Sequence, residues 1–279
     1  MVIGLHVSAS GGVVKAPERA AAEGGQALQI FAGSPRMWRE TIYTPEQGDE
    51  FRKNMAEYGI NLGFIHVMYL TSYATTDEEH RNKSINAYIT ALKNCDTLGL
   101  KGAVTHLGSH KGAGFKQALP NVAKSLKQVL ESDTKAEVIL ENSAGSGGNV
   151  GNSFEELAAI IDACDNHPRL KVCLDTAHVF TSGYDIRTKE DWDKTILKFD
   201  KTIGLDRLAV MHINDSKADI DSRVDRHENI GDGFIGKEAF RTIVNDERLQ
   251  DVAGILEVPG IGGNGPDKEN VDRLKALVK

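Results

Sequence analysis

The sequence predicts an α/β protein folded as one (β/α)8 TIM barrel over residues 1–279, and three observations carry the prediction. Eight short apolar runs alternate with eight segments of helical composition, always in the order strand then helix. The length of 279 residues suits a barrel, which typically needs about 250. No composition break along the chain suggests a linker. An open doubly wound sheet is the runner-up. A dinucleotide-binding version would carry GxGxxG after its first strand, whereas the first turn here reads SASGG. The stretch 145–151 (GSGGNVG) is glycine-rich, but its spacing is wrong. It reads as a loop that lets backbone approach a ligand or a neighbouring loop.

Each element follows in order. Residues 2–7 (VIGLHV) read as the first strand, SASGG as its turn, and the Ala-rich stretch 13–23 as a helix. Residues 26–32 (QALQIFA) give the second strand and 33–40 (GSPRMWRE) a loop. Residues 45–58, entered through Thr44-Pro45, put Phe51, Met55 and Tyr58 on one helical face. The third strand is 62–66 (LGFIH). Residues 76–98 follow as a long helix, with Thr76 as cap, Glu79 completing a capping box, and Gly99 as its end. The fourth strand is 102–106 (GAVTH), followed by a helix at 116–131. The fifth is 137–141 (EVILE), followed by a helix that Ser153 and Glu156 open as a second capping box.

The sixth strand lies in 170–178 (LKVCLDTAH). Leu170, Val172 and Leu174 alternate with Lys171 and Cys173, the apolar run ends at Asp175, and His178 follows three residues on. A helix at 189–202, a seventh strand at 207–213 (RLAVMHI) and a helix at 236–244 come next. The eighth strand is 252–257 (VAGILE). The closing helix, 267–278, spaces Val271, Leu274 and Leu277 for burial.

Bulk composition narrows the class. Hydrophobic residues at 40% and charged residues at 26% fit a soluble globular protein. No apolar run approaches the roughly 20 residues a membrane span needs, and the N-terminus has neither a basic region nor a long apolar core, so no secretory signal is expected. Cys95, Cys164 and Cys173 are odd in number and lack CxxC spacing. They read as packing residues of a reduced, cytoplasmic protein, nucleoid-associated in a prokaryote. The formal charge of −7 alone argues against a nucleic-acid partner. Bound cations would weaken that argument: three divalent ions and one hydroxide would bring the balance to roughly −2, with positive charge where a phosphate would sit.

The recurrent feature is an apolar run that ends in His, Glu or Asp. In a (β/α)8 barrel all eight strand C-termini face one end, which holds the active site. His66, His106, Glu141, Asp175, His178, His212 and Glu257 then converge, and Asp225 and His227 join them from the long loop after the seventh strand. Each position has a plainer reading: one His at a strand end is more often a hydrogen-bonded structural residue, and one buried Glu is often an Arg partner. Nine together, with none expected mid-strand or on a helix face, point instead to metal. Four crowded carboxylates raise each other's pKa values, and divalent cations relieve the repulsion while occupying the imidazole lone pairs. A nitrogen-and-oxygen set rich in His suits Zn2+, with Mn2+ or Fe2+ as alternatives. Nine ligands exceed one tetrahedral ion, so three ions with a bridging carboxylate are expected. Such a site clamps a phosphodiester and generates hydroxide at neutral pH. His6 and His110 lie near strand ends as hydrogen-bonding supports for ligands or as structural residues. His80 and His167 read as surface residues.

At this point the chain resembles the endonuclease IV family, the zinc-dependent apurinic/apyrimidinic endonucleases of base excision repair. The resemblance rests on HVSASGG (6–12), LENSAG (140–145), LDTAH (174–178), MHINDS (211–216), RVDRHENIGDG (223–233) and ILE (255–257), which span nearly the whole chain. It implies one zinc on His66, His106 and Glu141. A second falls on Asp175, His212 and Glu257, with Glu141 bridging, and a third on His178, Asp225 and His227. Glu141 and Glu257 would be catalytic. The implied reaction hydrolyses the phosphodiester 5′ to an abasic site in duplex DNA, leaving a 3′-hydroxyl and a 5′-deoxyribose phosphate, and also removes blocking groups from 3′ ends. The family extrudes the abasic nucleotide and fills the gap with side chains, which match Arg36, Tyr69 and Leu70. Extrusion is cheap where stacking is already lost. For Trp38, packing under a loop competes evenly with a place at the DNA.

The chain departs from the family pattern at Leu107, where Pro is usual, at Val258, where Thr is common, and at Val67 and Met68, where smaller or polar residues are usual. These changes touch the support of the ligands, not the ligands themselves. The nearest rival is a metal-dependent sugar isomerase or epimerase on the same barrel, which would use only Glu141, Asp175, His212 and Glu257. A catalytically silent DNA-damage binder is a rival of another class. It would keep Arg36 and Tyr69 but shed ligands. A monomer is expected, since long DNA must reach the open mouth.

Overall fold

The structure is a computed structural model describing residues 1–39 and 41–279. Glu40, the last residue of the loop expected at 33–40, lies outside the described residues. Ten strands are formed: β1 (Val2–His6), β2 (Ala27–Phe31), β3 (Leu62–His66), β4 (Gly102–Thr105), β5 (Glu137–Glu141), β6 (Leu170–Asp175), β7 (Leu208–His212), the two-residue β8 (Asp215–Ser216) and β9 (His227–Glu228), and β10 (Ala253–Leu256) among the described residues. Eight of them close into a barrel in the order β1-β10-β7-β6-β5-β4-β3-β2. Every pairing around the ring is parallel. The expected (β/α)8 barrel is therefore the fold, and each barrel strand lies inside its expected range.

Parallel closure buries the strands on both faces, which is why they read as continuous apolar runs. Phe64, Val104, Ile139, Cys173, Val210 and Ile255 pack the barrel interior. A second, larger layer joins the outer strand faces to the helices α1 (Ala16–Ala22), α2 (Pro45–Glu57), α3 (Glu78–Leu98), α4 (Phe115–Leu130), α5 (Phe154–Ala163), α6 (Thr176–Thr181), α7 (Lys189–Thr202), α8 (Lys237–Val244) and α9 (Lys268–Lys275). Val271, Leu274 and Leu277 are buried, as their spacing predicts. No helix among the described residues is long and apolar enough to cross a membrane. The three cysteines are free and buried. Burial pushes the thiols of Cys164 and Cys173 up to about 11 and about 12, which makes them unreactive at neutral pH.

Four local expectations are corrected. The long helix α3 is capped by Asp77, whose side chain accepts from His80 N at 3.1 Å, so Thr76 stands outside it. At α5 only half of the capping box forms. Ser153 accepts from Glu156 N, but the Glu156 carboxylate turns to the backbone N–H of Gly151 at 2.8 Å. The short helix α6 was not expected, and it places His178 on a helix. The loop after β7 pairs with itself through β8 and β9.

Trp192 gives the helical layer a buried polar anchor. Trp192 on α7 is fully buried, and its indole N–H donates to Asp246 Oδ2 at 2.7 Å. Arg248 Nε donates to the other oxygen at 2.8 Å. Burial opposes ionisation of Asp246, but these donors outweigh it and hold the carboxyl below its usual range. Replacing Asp246 with Ala orphans the indole N–H and should destabilise the protein by about 1–3 kcal/mol at pH 7 in urea melts. A carboxyl whose folded-state pKa is depressed stabilises fully above its unfolded value, and the contribution fades as pH falls through the folded value. The gap between wild type and Asp246→Ala should therefore shrink as the melts are moved into acid.

Candidate metal centre

The ends of β3, β4, β5, β6, β7 and β10 meet at one mouth, and nine side chains gather there. Three groups of donor atoms are close enough to share an ion: His66, His106 and Glu141; Asp175, His178 and His227; and Glu141, Asp175, His212 and Glu257. Asp225 joins the second group, its Oδ1 lying 3.2 Å from His178 Nε2 and 3.4 Å from His227 Nε2. Glu141 stands at the centre. Its Oε2 is 3.1 Å from His66 Nε2 and 3.4 Å from His106 Nε2. Its Oε1 is 3.1 Å from His212 Nδ1 and 3.3 Å from His178 Nδ1. One carboxylate thus faces two separate groups through its two oxygens.

The orientation of the rings follows from their outward contacts. A carbonyl oxygen only accepts, so a ring nitrogen bonded to one carries the proton. His66 Nδ1 donates to Val67 O at 2.7 Å, His178 Nδ1 to Asn142 O at 3.0 Å, and His227 Nδ1 to Glu257 O at 3.3 Å. In the neutral rings the remaining nitrogens are lone pairs, and they face carboxylate oxygens. Two acceptors facing each other at about 3 Å repel unless a proton or a cation lies between them. The Nε2 atoms of His178 and His227 are moreover buried without a hydrogen-bond partner. The donor set, its nitrogen-and-oxygen chemistry and these unsatisfied atoms all fit metal ions.

Electrostatics say the same. Burial opposes charge on Glu141, yet His106, His212 and His178 hold its carboxyl well below its usual range. Burial likewise opposes charge on Glu257, and His212 with His6 overcomes it. Burial also disfavours protonated His178 and His212, but Asp175 and Asp225 raise the first, and the carboxylates of Glu257 and Glu141 raise the second, well above the ordinary value. His106 is different. Burial dominates there and lowers it, which keeps a neutral lone pair available.

Neighbouring polar residues clamp these donors. Asn142 Oδ1 accepts from Asp175 N at 2.6 Å. Asn214 donates to Asp175 Oδ2 at 2.7 Å and accepts from Glu257 N at 2.8 Å. The buried Asp215 carboxylate accepts from the backbone N–H of Gly231, Gly233 and Ile235 at 3.0, 3.1 and 3.0 Å, which folds the segment after Asp225 and His227 back onto β8. Gln29, in the middle of β2, is fully buried against His212 and Glu257. The motifs pass over it because it ends no apolar run.

The other expected residues fall as follows. His6 lies 3.1 Å from Glu257 Oε1, beside the ligand. His110 accepts at Nδ1 from Gly112 N and Gly114 N, both at 3.2 Å, and shapes its own loop. His167 holds the turn before β6 through Arg169 N. His80, expected at the surface, is half-buried: its Nε2 donates to Leu70 O at 2.7 Å and its ring meets the edge of Trp38 at 5.4 Å. Tyr69 N donates to Pro35 O at 3.1 Å, which ties the loop of Arg36 to the loop of Tyr69 and Leu70. The Tyr69 ring stays largely exposed, 5.8 Å from His66. A cavity of about 1080 Å³ opens beside Glu257, with His6, Phe31, Pro35, Tyr69 and Asn264 among its walls. Among the departures, Leu107 O accepts from Tyr73 N and Ala74 N, and Val67 O orients His66.

The barrel and its mouth define an α/β-barrel enzyme with a cluster of donors able to hold metal. Residues 17–277 match the family model described as "Xylose isomerase-like TIM barrel". The chain is 39% identical over 278 residues to a protein named "Probable endonuclease 4" from Chloroflexus aurantiacus, covering 99% of this chain and 98% of the relative. It superposes on the crystal structure of endonuclease IV from Thermus thermophilus with a TM-score of 0.86 and 34% identity, covering 99% of this chain and 98% of the other. A D-tagatose 3-epimerase-like protein shares the fold alone, at a TM-score of 0.71 and 19% identity over 99% of this chain and 95% of its own. The chain belongs to the endonuclease IV family, and it is a hydrolase of the nuclease class.

Asp215 should prove essential to the loop that carries Asp225 and His227. Asp215→Ala should lower stability by more than about 2 kcal/mol. Amide hydrogen exchange at Gly231, Gly233 and Ile235 should accelerate well beyond the global change. Unaltered exchange at these amides would mean that the loop is held by other contacts.

Proposed function

We propose that this chain is a DNA-repair endonuclease acting on abasic sites in duplex DNA, cutting the phosphodiester on the 5′ side to leave a 3′-hydroxyl and a 5′-deoxyribose phosphate, and clearing blocked 3′ ends. The observation that carries the reading is Glu141, whose two oxygens face separate donor groups at one open mouth. Family membership supports it. Residues 1–279 would act as one domain and as a monomer in the cytoplasm.

Three zinc ions are the proposed complement, with Mn2+ or Fe2+ as alternatives. One would rest on His66, His106 and Glu141, one on Asp175, His212, Glu257 and the shared Glu141, and one on His178, Asp225 and His227. Bound there, divalent ions neutralise a phosphodiester and make water a nucleophile at neutral pH. They also answer the objection raised by the charge of −7, because positive charge is then concentrated where the phosphate docks. The protein's own side chains do the rest. Glu141 and Glu257 sit at the reacting centre and fix its charge. Tyr69, Leu70 and Arg36, on two loops joined through Tyr69 N and Pro35 O, would enter the gap left by the missing base. The cavity beside Glu257 gives room for the extruded sugar.

The sugar isomerase or epimerase reading needs only Glu141, Asp175, His212 and Glu257, which do form one of the three donor groups. It leaves His66, His106, His178, Asp225 and His227 without a task. Metal analysis of purified protein should return about three ions per chain, and the sugar-enzyme reading requires one or two. A duplex with a single abasic site should be cut 5′ to the lesion, with activity abolished by a strong chelator and restored by zinc. His66→Ala and Glu257→Gln should each lower the rate roughly 100-fold or more. Full activity in both variants would sink the ligand assignment. Tyr69→Ala should weaken binding of the abasic duplex about 10-fold, in keeping with the loss of one stacking contact, and leave the metal content unchanged.

A further inference from the structure

We propose that Gln29 is a positioning residue that selects the ring tautomer of His212 and fixes the carboxylate of Glu257, so that both present their lone pairs to the metal mouth. The inference rests on the metal reading above for its consequence but on the hydrogen-bond geometry of β2 for its premise.

Gln29 is mid-strand, paired in register with His6 on β1 and Phe64 on β3. Ala27, two residues earlier, belongs to the barrel interior. Alternation along the strand therefore points Gln29 inward as well, one layer above Ala27, at the floor of the mouth. A fully buried amide there must satisfy both of its ends. Its Nε2 lies 2.7 Å from Glu257 Oε1 and its Oε1 lies 3.0 Å from His212 Nε2.

The assignment of protons follows by elimination. An ionised carboxylate only accepts, so the NH2 end of the amide must face Glu257. The carbonyl end then faces His212, and a carbonyl only accepts, so His212 Nε2 must carry a proton. In the neutral ring Nδ1 is left as the lone pair. Nδ1 is the atom that lies 3.1 Å from Glu141 Oε1, 3.2 Å from Glu257 Oε2 and 3.8 Å from Asp175 Oδ2. The same amide nitrogen also stands 3.2 Å from His6 Nδ1, the atom that itself faces Glu257 Oε1 at 3.1 Å. His66, His178 and His227 obtain their tautomers from backbone carbonyls. His212 alone among these four uses a side chain, and that side chain simultaneously holds a second ligand. Gln29 thus couples the ring on β7 to the carboxylate that follows β10.

The test uses full-length protein with 15N-labelled histidine. The wild type should show a downfield His212 Nε2–H resonance protected from solvent exchange, with zinc bound and after zinc has been stripped. Gln29→Leu should lose that protection, and its zinc should pass to a competing chelator roughly 10- to 100-fold more readily than the zinc of wild type. Gln29→Glu, whose carboxylate still accepts from His212 but no longer donates to Glu257, should keep the protected resonance and yet release zinc more readily, a split that a role in packing alone would not predict. Gln29→Met serves in place of Gln29→Leu if the latter does not fold. A wild-type spectrum with the His212 proton on Nδ1 alone would overturn the proposal, as would an apolar variant that holds zinc like wild type. A wild type that binds no zinc yet shows the protected Nε2–H would instead refute the metal reading and leave the hydrogen-bond assignment standing.

Discussion

One buried carboxylate among imidazoles governs this structure. Glu141 closes β5 with both oxygens out of contact with water, and each oxygen is within about 3.5 Å of two ring nitrogens. Such a group cannot be left uncompensated, because an isolated charge in an apolar interior is prohibitively unfavourable. The layer beneath it is built from apolar side chains such as Phe64, Val104 and Ile139. Compensation must come from protons or cations at the level of the mouth. Parallel closure makes this arrangement possible, since it brings the ends of six strands to the same end of the barrel.

Rigidity at the mouth comes from residues close in sequence to the clustered donors. Asn142 follows Glu141 and holds the backbone of Asp175. Thr176 follows Asp175, and its hydroxyl donates to Asn214 O at 2.7 Å. Asn214 lies two residues beyond His212 and bridges Asp175 to Glu257. Each of these three strand ends therefore delivers a candidate donor together with a clamp for its neighbour. Supports of this kind tune ligand basicity and orientation as much as the ligands themselves do.

The barrel and its converging ends were legible in the sequence because both arise from local patterns. A strand buried on both faces is an apolar run, and a run that stops at His, Asp or Glu announces what its end presents. What remained hidden depends on contacts between distant segments. Gln29 reads as an ordinary strand residue, since its meaning lies 183 positions away at His212 and 228 away at Glu257. His80 resembles any charged-neighbour histidine on a helix start until the fold brings Leu70 O and Trp38 to it. The helix α6 is too short to show periodicity; Asp175 caps it by accepting from His178 N at 3.0 Å, so one residue is both a donor at the mouth and a helix start. Asp77 prevailed over Thr76 as the cap of α3 because either residue type serves, and sequence alone does not rank adjacent candidates.

The position of each donor in the fold separates a common core from an addition. Glu141, Asp175, His212 and Glu257 close, or immediately follow, four of the barrel's own strands, and they form one donor group by themselves. A four-donor site of this kind is compatible with many chemistries on one barrel, and the likeness to an epimerase-like protein at 19% identity is one of fold alone. His178, Asp225 and His227 sit on a six-residue helix and on a loop held by Asp215, elements that vary without disturbing the barrel. Recruiting them enlarges the donor set beyond what a single ion can use. The donors beyond that group come both from the ends of β3 and β4, as His66 and His106, and from these short segments, the largest of which the carboxylate of Asp215 holds through the amides of Gly231, Gly233 and Ile235.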